Sequence, residues 1–304
     1  MTKQNLSGVL LAAGGAVGFA SKGIFAKYLY ARGMSFDALV ALRSALSLPF
    51  MWAWVLWLRG WGSIRSGSAR AVCGAAFAGV ACYCFGALID FYALTLLPAS
   101  VERVVLFSYP AMIVLAGMLL GRGAPSARIL IAIALTYAGI FLTVGGFDIS
   151  LLRSNVTGTI LVLICAATYA FYFLVSERYV GTLGSQQFAL YAMTAASIVL
   201  NLMFVVRVGW HHIQMQAVDW FLMAGLVIFA TVLPMFMSAE GVRRIGAQRS
   251  ALAGTIGPIA TMALATALLG ERLQLLQLAG SALIIVGILV LELKRTDIAS
   301  EAAA

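Results

Sequence analysis

Ten apolar runs, each close to twenty residues long and separated by short charged or Gly/Pro-containing connectors, divide the chain almost end to end. They fall at about 6–29, 36–58, 71–96, 99–120, 127–146, 156–177, 186–206, 218–241, 247–269 and 274–293. A bilayer core about 30 Å thick takes roughly 20 residues of helix. Inside lipid a helix satisfies its own backbone hydrogen bonds, and the runs show none of the alternation that marks a strand. The spacing therefore predicts an all-α integral membrane protein of ten transmembrane helices. Composition agrees, since 62% of the residues are hydrophobic and 10% charged, against about 25% charged in soluble domains. The first run is longer than a signal-peptide core and has no small-x-small cleavage site, so it reads as the first span.

The net charge of +9 comes from basic residues scattered singly at span ends, a pattern of topology rather than of nucleic-acid binding. On the side of the ten-span arrangement that holds both termini there are twelve Lys and Arg, against six on the other, so the positive-inside rule places both termini in the cytoplasm. Cys73, Cys82, Cys84 and Cys165 lie in apolar runs without metal-ligand spacing, and His211–His212 lack a third ligand, so neither a metal nor a cofactor is expected. No Walker A loop is present, which leaves ATP-driven transport within the chain without support.

Self-comparison shows a duplication. NLSG at 5–8 matches NVTG at 155–158, and later positions align at an offset of 148, pairing Pro110 with Pro258 and Gly139 with Gly287. Each half, 1–148 and 149–304, holds five spans. Because five is odd, the second half is expected upside down relative to the first, about a pseudo-twofold axis in the membrane plane with the site near it. Pro110 and Pro258 interrupt spans four and nine near mid-depth, and Gly86 matches Pro234 at the same offset, so these four are the candidate hinges.

Three charges lie well inside the spans, at least six residues from either end. With 1.5 Å of rise per residue, Lys22, Arg43 and Asp90 share a level about 9 to 10 Å below the outer surface. Asp90 is expected to pair with Lys22 or Arg43; alternatively the two cations reach the headgroups and Asp90 meets water. Helical spacing adds Gly79, Tyr83 and Gly86 to the Asp90 stripe. Span six sets Tyr169 and Tyr172 where span one has Phe19 and Lys22, so the candidate substrate cavity comprises Phe19, Gly79, Tyr83, Tyr169 and Tyr172. Such a hollow suits a zwitterion with an aromatic side chain, or an amphipathic cation. Glu102–Arg103 and Glu271–Arg272 stand at span ends, where solvated local pairs are expected. An intramembrane enzyme is disfavoured: no second buried carboxylate lies near Asp90 in the sequence, and both histidines lie outside the spans. Asp90 is also the candidate for coupling to protons.

The stretches at 92–121, beginning YALTLLPASVERVVLF, and at 239–293, containing GPIATMALATALLGERL, resemble the drug/metabolite transporter superfamily in its two-repeat EamA form. ALRSALSLPF at 41–50 fits as well, with Arg43 in the place of that family's second-span arginine. The resemblance implies a ten-helix basket with a central cavity and alternating access, most similar to the bacterial YddG-type exporters of aromatic amino acids and methyl viologen. Two departures stand out: Gly121–Arg122 replaces the Gly270–Glu271 form of the second half, and Met193 stands where symmetry with Arg43 calls for an arginine. The expectation is thus a secondary exporter of small amphipathic metabolites in the bacterial inner membrane, without cofactor or nucleic-acid partner.

Overall fold

The computed structural model describes residues 3–59, 68–120, 127–209, 214–245, 250 and 253–301, and the described residues contain helices and no strand. His211–His212, the Gly121–Arg122 pair, Arg65 and Arg249 lie outside them. Seven helical stretches of 21 to 35 residues are long and apolar enough to cross a membrane, from Leu6–Ala31 to Ala217–Val242. Three shorter apolar helices accompany them, Ile129–Val144, Ile256–Leu269 and Leu275–Val290.

The five apolar runs of the first half fold into helices that are mostly interrupted. The first consists of α1 (Lys3–Ala20) and α2 (Lys22–Ala31), parted at Ser21, whose hydroxyl and N–H both donate to the Gly18 carbonyl. The second is α3 (Phe36–Arg59), which contains Pro49. The third runs through α4 (Ala69–Gly79), a wide π-helical turn over Val80–Gly86 and α5 (Ala87–Leu96). The fourth is split into α6 (Ala99–Leu106) and α7 (Tyr109–Leu119), and the fifth is α8 (Ala127–Val144).

In the second half α9 (Ile149–Leu183) begins seven residues before the predicted start at 156, because the Asp148 carboxylate accepts hydrogen bonds from the N–H groups of Ser150 and Leu151 and caps the helix there. It is followed by α10 (Ser185–Arg207), α11 (Ala217–Val227), a second π-helical turn at Ile228–Val232, α12 (Leu233–Ile245), α13 (Ile256–Leu269) and α14 (Leu275–Glu301).

The four candidate hinges each sit at one of these irregularities. Gly86 closes the first π-helical turn and Pro234 follows the second; the two turns begin at Val80 and Ile228, 148 residues apart. A proline has no N–H to give to the carbonyl four residues back, and a widened turn absorbs the mismatch. Pro110 and Pro258 differ from the expectation of kinks within continuous spans. Each occupies the first turn of a fresh helix, α7 after Ser108 and α13 after Thr255, where the missing N–H costs nothing.

Close packing of α1 on α12 comes from glycines. A Cβ at Gly15 would meet the Pro234 carbonyl at 2.9 Å, and one at Gly18 the Phe229 carbonyl at 2.8 Å. The small residues of span one therefore serve contact within the chain.

Candidate functional site

The buried charges converge where three helices begin. Lys22 opens α2, while Asp90 and Glu102 lie in the first turns of α5 and α6. Lys22 Nζ donates to Asp90 Oδ2 at 2.5 Å and to Glu102 Oε1 at 3.2 Å. The three residues are 8%, 3% and 1% exposed, so the ammonium and both carboxyl groups are sealed from solvent. Of the two pairings open to Asp90, the one with Lys22 is present. Arg43 sits apart, its guanidinium 4.9 Å from the Phe91 ring centre, with Lys22 5.3 Å from the same ring. Asp90 Oδ1, Arg43 Nε and Arg103 Nε are buried atoms without a hydrogen-bond partner among the described residues.

Glu102 corrects the sequence reading. It forms no solvated pair with Arg103; it is the second buried carboxylate of the cluster, and the case against an enzyme that assumed no such neighbour for Asp90 loses that support. Arg103 turns away to stack over Phe107 at 5.0 Å. Glu271 corrects it too. Its Oε1 accepts the Ala99 N–H at 2.7 Å, and its Oε2 accepts the Ser100 N–H at 3.2 Å and the Ser100 hydroxyl at 2.6 Å. The carboxylate of the loop after α13 thus clasps the N-terminus of α6, where three N–H groups have no partner in their own helix and negative charge is favoured.

The same end of the bundle carries other ties between the halves. Tyr28 donates to the Leu268 carbonyl at 2.6 Å, and Arg32 reaches Gln216 at 2.9 Å as well as Asp219. Replacing Glu271 with alanine should cost about 1 kcal/mol, the usual loss of a helix cap, and should raise the alkylation rate of a cysteine placed at Ser100. Unchanged melting and labelling would show that the clasp holds nothing.

The candidate aromatic residues are largely brought together. Tyr83, on the first π-helical turn, lies edge-on to Tyr172 at 5.0 Å and to Tyr169 at 6.3 Å. Two rings missed in the sequence extend the group: Tyr109 lies 6.0 Å from Tyr169 and stacks on Phe173 at 5.5 Å. The four-residue step from Tyr169 to Phe173 was the available signal. Phe19 is half-buried on α1, and Gly79 lies against the backbone of Ala192 on α10. A cleft of about 240 Å³ opens elsewhere, between Arg70 on α4 and Arg178 and Tyr179 on α9.

The sequence model of the EamA-like transporter family matches residues 6–145 and 156–293. The chain belongs to that family. It is 32% identical over 284 residues to an uncharacterized transporter, YcbK, of Bacillus subtilis strain 168, covering 91% of this chain and 90% of the relative. In fold it is similar to a solved chain described as "Crystal structure of protein", at 18% identity and a TM-score of 0.65, with 96% of this chain and 98% of that one covered. This EamA protein is therefore a multi-pass membrane transporter. Family membership now carries the weight against an enzyme that the supposed isolation of Asp90 carried before.

Proposed function

We propose that this EamA transporter is a secondary exporter of small amphipathic metabolites, with aromatic amino acids as the leading substrates, in a bacterial inner membrane. It has ten spans in two inverted five-helix repeats, 1–148 and 149–304, with both termini in the cytoplasm. The repeats rock about the substrate site, flexing at Gly86, Pro110, Pro234 and Pro258. The observation that carries this reading is the aromatic group of Tyr83, Tyr169 and Tyr172 beside a level of charge formed by Lys22, Asp90 and Arg43. Aromatic faces suit an aromatic side chain, and the unpartnered Nε of Arg43 suits a carboxylate. Aromatic faces also favour cations, which keeps methyl viologen in view.

The test is counterflow in reconstituted vesicles with a panel of labelled amino acids and methyl viologen. Tryptophan should exchange about tenfold faster than alanine, a difference of about 1.4 kcal/mol. Equal rates would remove the aromatic preference, and absence of saturation would indicate a channel.

A further inference from the structure

Asp90 and Glu102 come from different helices, yet both carboxyl groups crowd one ammonium, that of Lys22, which donates to each of them. Ionised carboxylates accept hydrogen bonds and cannot donate them. Two that face each other in a dry interior hold together when one keeps a proton to give, because like charges about 3 Å apart do not both ionise. Asp90 Oδ1, buried and without a donor among the described residues, is available to accept such a proton. Lys22 decides which group keeps it. The ammonium is nearer Asp90 at 2.5 Å than Glu102 at 3.2 Å, so the negative charge belongs on Asp90 and the proton on Glu102.

The surroundings leave this arrangement intact. Glu102 is faced by Lys22, Lys27 and Tyr30 from α2, Asp90 from α5 and Cys165 from α9, with Arg103 on its own helix. Neither α13 nor the described side chains of α14 carry an ionisable group. Arg43 faces Asp90 from α3, and Glu271 lies beyond at the start of α6. Lys22 alone among the described cations forms an ion pair with either carboxylate. Glu102 also stands about one helical turn inside the Ala99–Ser100 end that Glu271 clasps.

We propose that Glu102 and Asp90 form a one-proton dyad that couples substrate export to proton entry, with Glu102 as the carrier. The inference rests on the transporter reading above. The proton joins a Glu102 Oε from water on one face and leaves to water on the other, while Asp90 stays paired with Lys22. One O–H bond is made and broken per cycle, and one proton exchanges for one substrate molecule.

The test has two independent readouts on the full chain in lipid vesicles. Infrared spectra of the wild type should show a protonated carboxylic acid that disappears as the pH is raised from about 5 to about 9, a range in which exposed carboxyl groups are already ionised for the most part. The band should be missing from Glu102→Gln. In vesicles with the membrane potential clamped, an interior one pH unit more acidic than the outside should concentrate labelled tryptophan or methyl viologen about tenfold, the limit for one-to-one exchange. Glu102→Gln should lose that accumulation. A wild type with no such band, or with a band that never titrates, overturns the dyad. Counterflow that ignores the pH gradient overturns the coupling and leaves the transporter reading standing. If no substrate exchanges at all, the transporter reading falls and the infrared titration alone decides the dyad. Should Glu102→Gln fail to fold, the wild-type titration and gradient experiments decide without it.

Discussion

Lys22→Met should destabilise the protein by about 3–5 kcal/mol, the usual cost of removing one partner from a buried ion pair. Methionine keeps the length of the lysine stem and loses the ammonium, with its place over the Phe91 ring, so the loss is electrostatic rather than a cavity. What it leaves behind is Asp90 and Glu102 facing each other with no ammonium between them, in a place 3% and 1% exposed. Asp90→Asn removes the charge from the other side and leaves Lys22 with Glu102 as its one remaining carboxyl partner among the described residues. The double variant Lys22→Met/Asp90→Asn removes both charges at once and should recover well over 1 kcal/mol relative to the sum of the single losses. Thermal unfolding of the four proteins in detergent, with folded yield alongside, measures the cycle. Strictly additive losses would mean that the contact between Lys22 and Asp90 contributes no coupling.

Much of this cluster could be read from the order of residues, and its limits are instructive. Depth arithmetic brought Lys22, Arg43 and Asp90 to one level because a helix in a bilayer converts residue number into height. It could not rank the two cations, since that choice depends on which way each helix turns its face; in the folded chain both cations lie over the Phe91 ring, and Lys22 alone of the two bonds Asp90. Glu102 and Glu271 were read wrongly because each precedes an arginine in the sequence. Residues i and i+1 point about 100° apart on a helix and do not face each other. Glu102 therefore turns inward to Lys22 while Arg103 turns to Phe107; Glu271, in the loop after α13, is free of helix geometry and crosses to α6. The tyrosines were legible for the complementary reason: Tyr169 and Tyr172, three apart, align with Phe19 and Lys22 of span one, while helical spacing sets Tyr83 on the Asp90 stripe. The π-helical turns were visible only as weak points at Gly86 and Pro234, because a widened turn is a property of backbone hydrogen bonds and leaves no periodicity of its own.

Gly79→Val should be the most damaging single substitution among the helix contacts, costing about 3 kcal/mol or more where overpacking usually costs 1–3. Gly79 is the last residue of α4, directly before the first π-helical turn, and a Cβ there would fall on the Cα, carbonyl carbon and oxygen of Ala192. Those are backbone atoms in the middle of α10, held by its hydrogen-bond ladder, and no rotamer change can withdraw them. The helices must part, and Tyr83, four residues further on, must shift with α4 against Tyr172 of α9. Gly14→Ala is the control. The atoms in its way are the terminal methyl and sulfur of Met237, at the end of a chain with three rotatable bonds, so it should shift stability by less than about 0.5 kcal/mol. If the two variants melt alike, the contact at Gly79 is no tighter than an ordinary helix crossing. If Gly79→Val alone loses folded yield while Gly14→Ala folds, backbone-on-backbone packing at Ala192 is what holds the tyrosine-bearing turn in place.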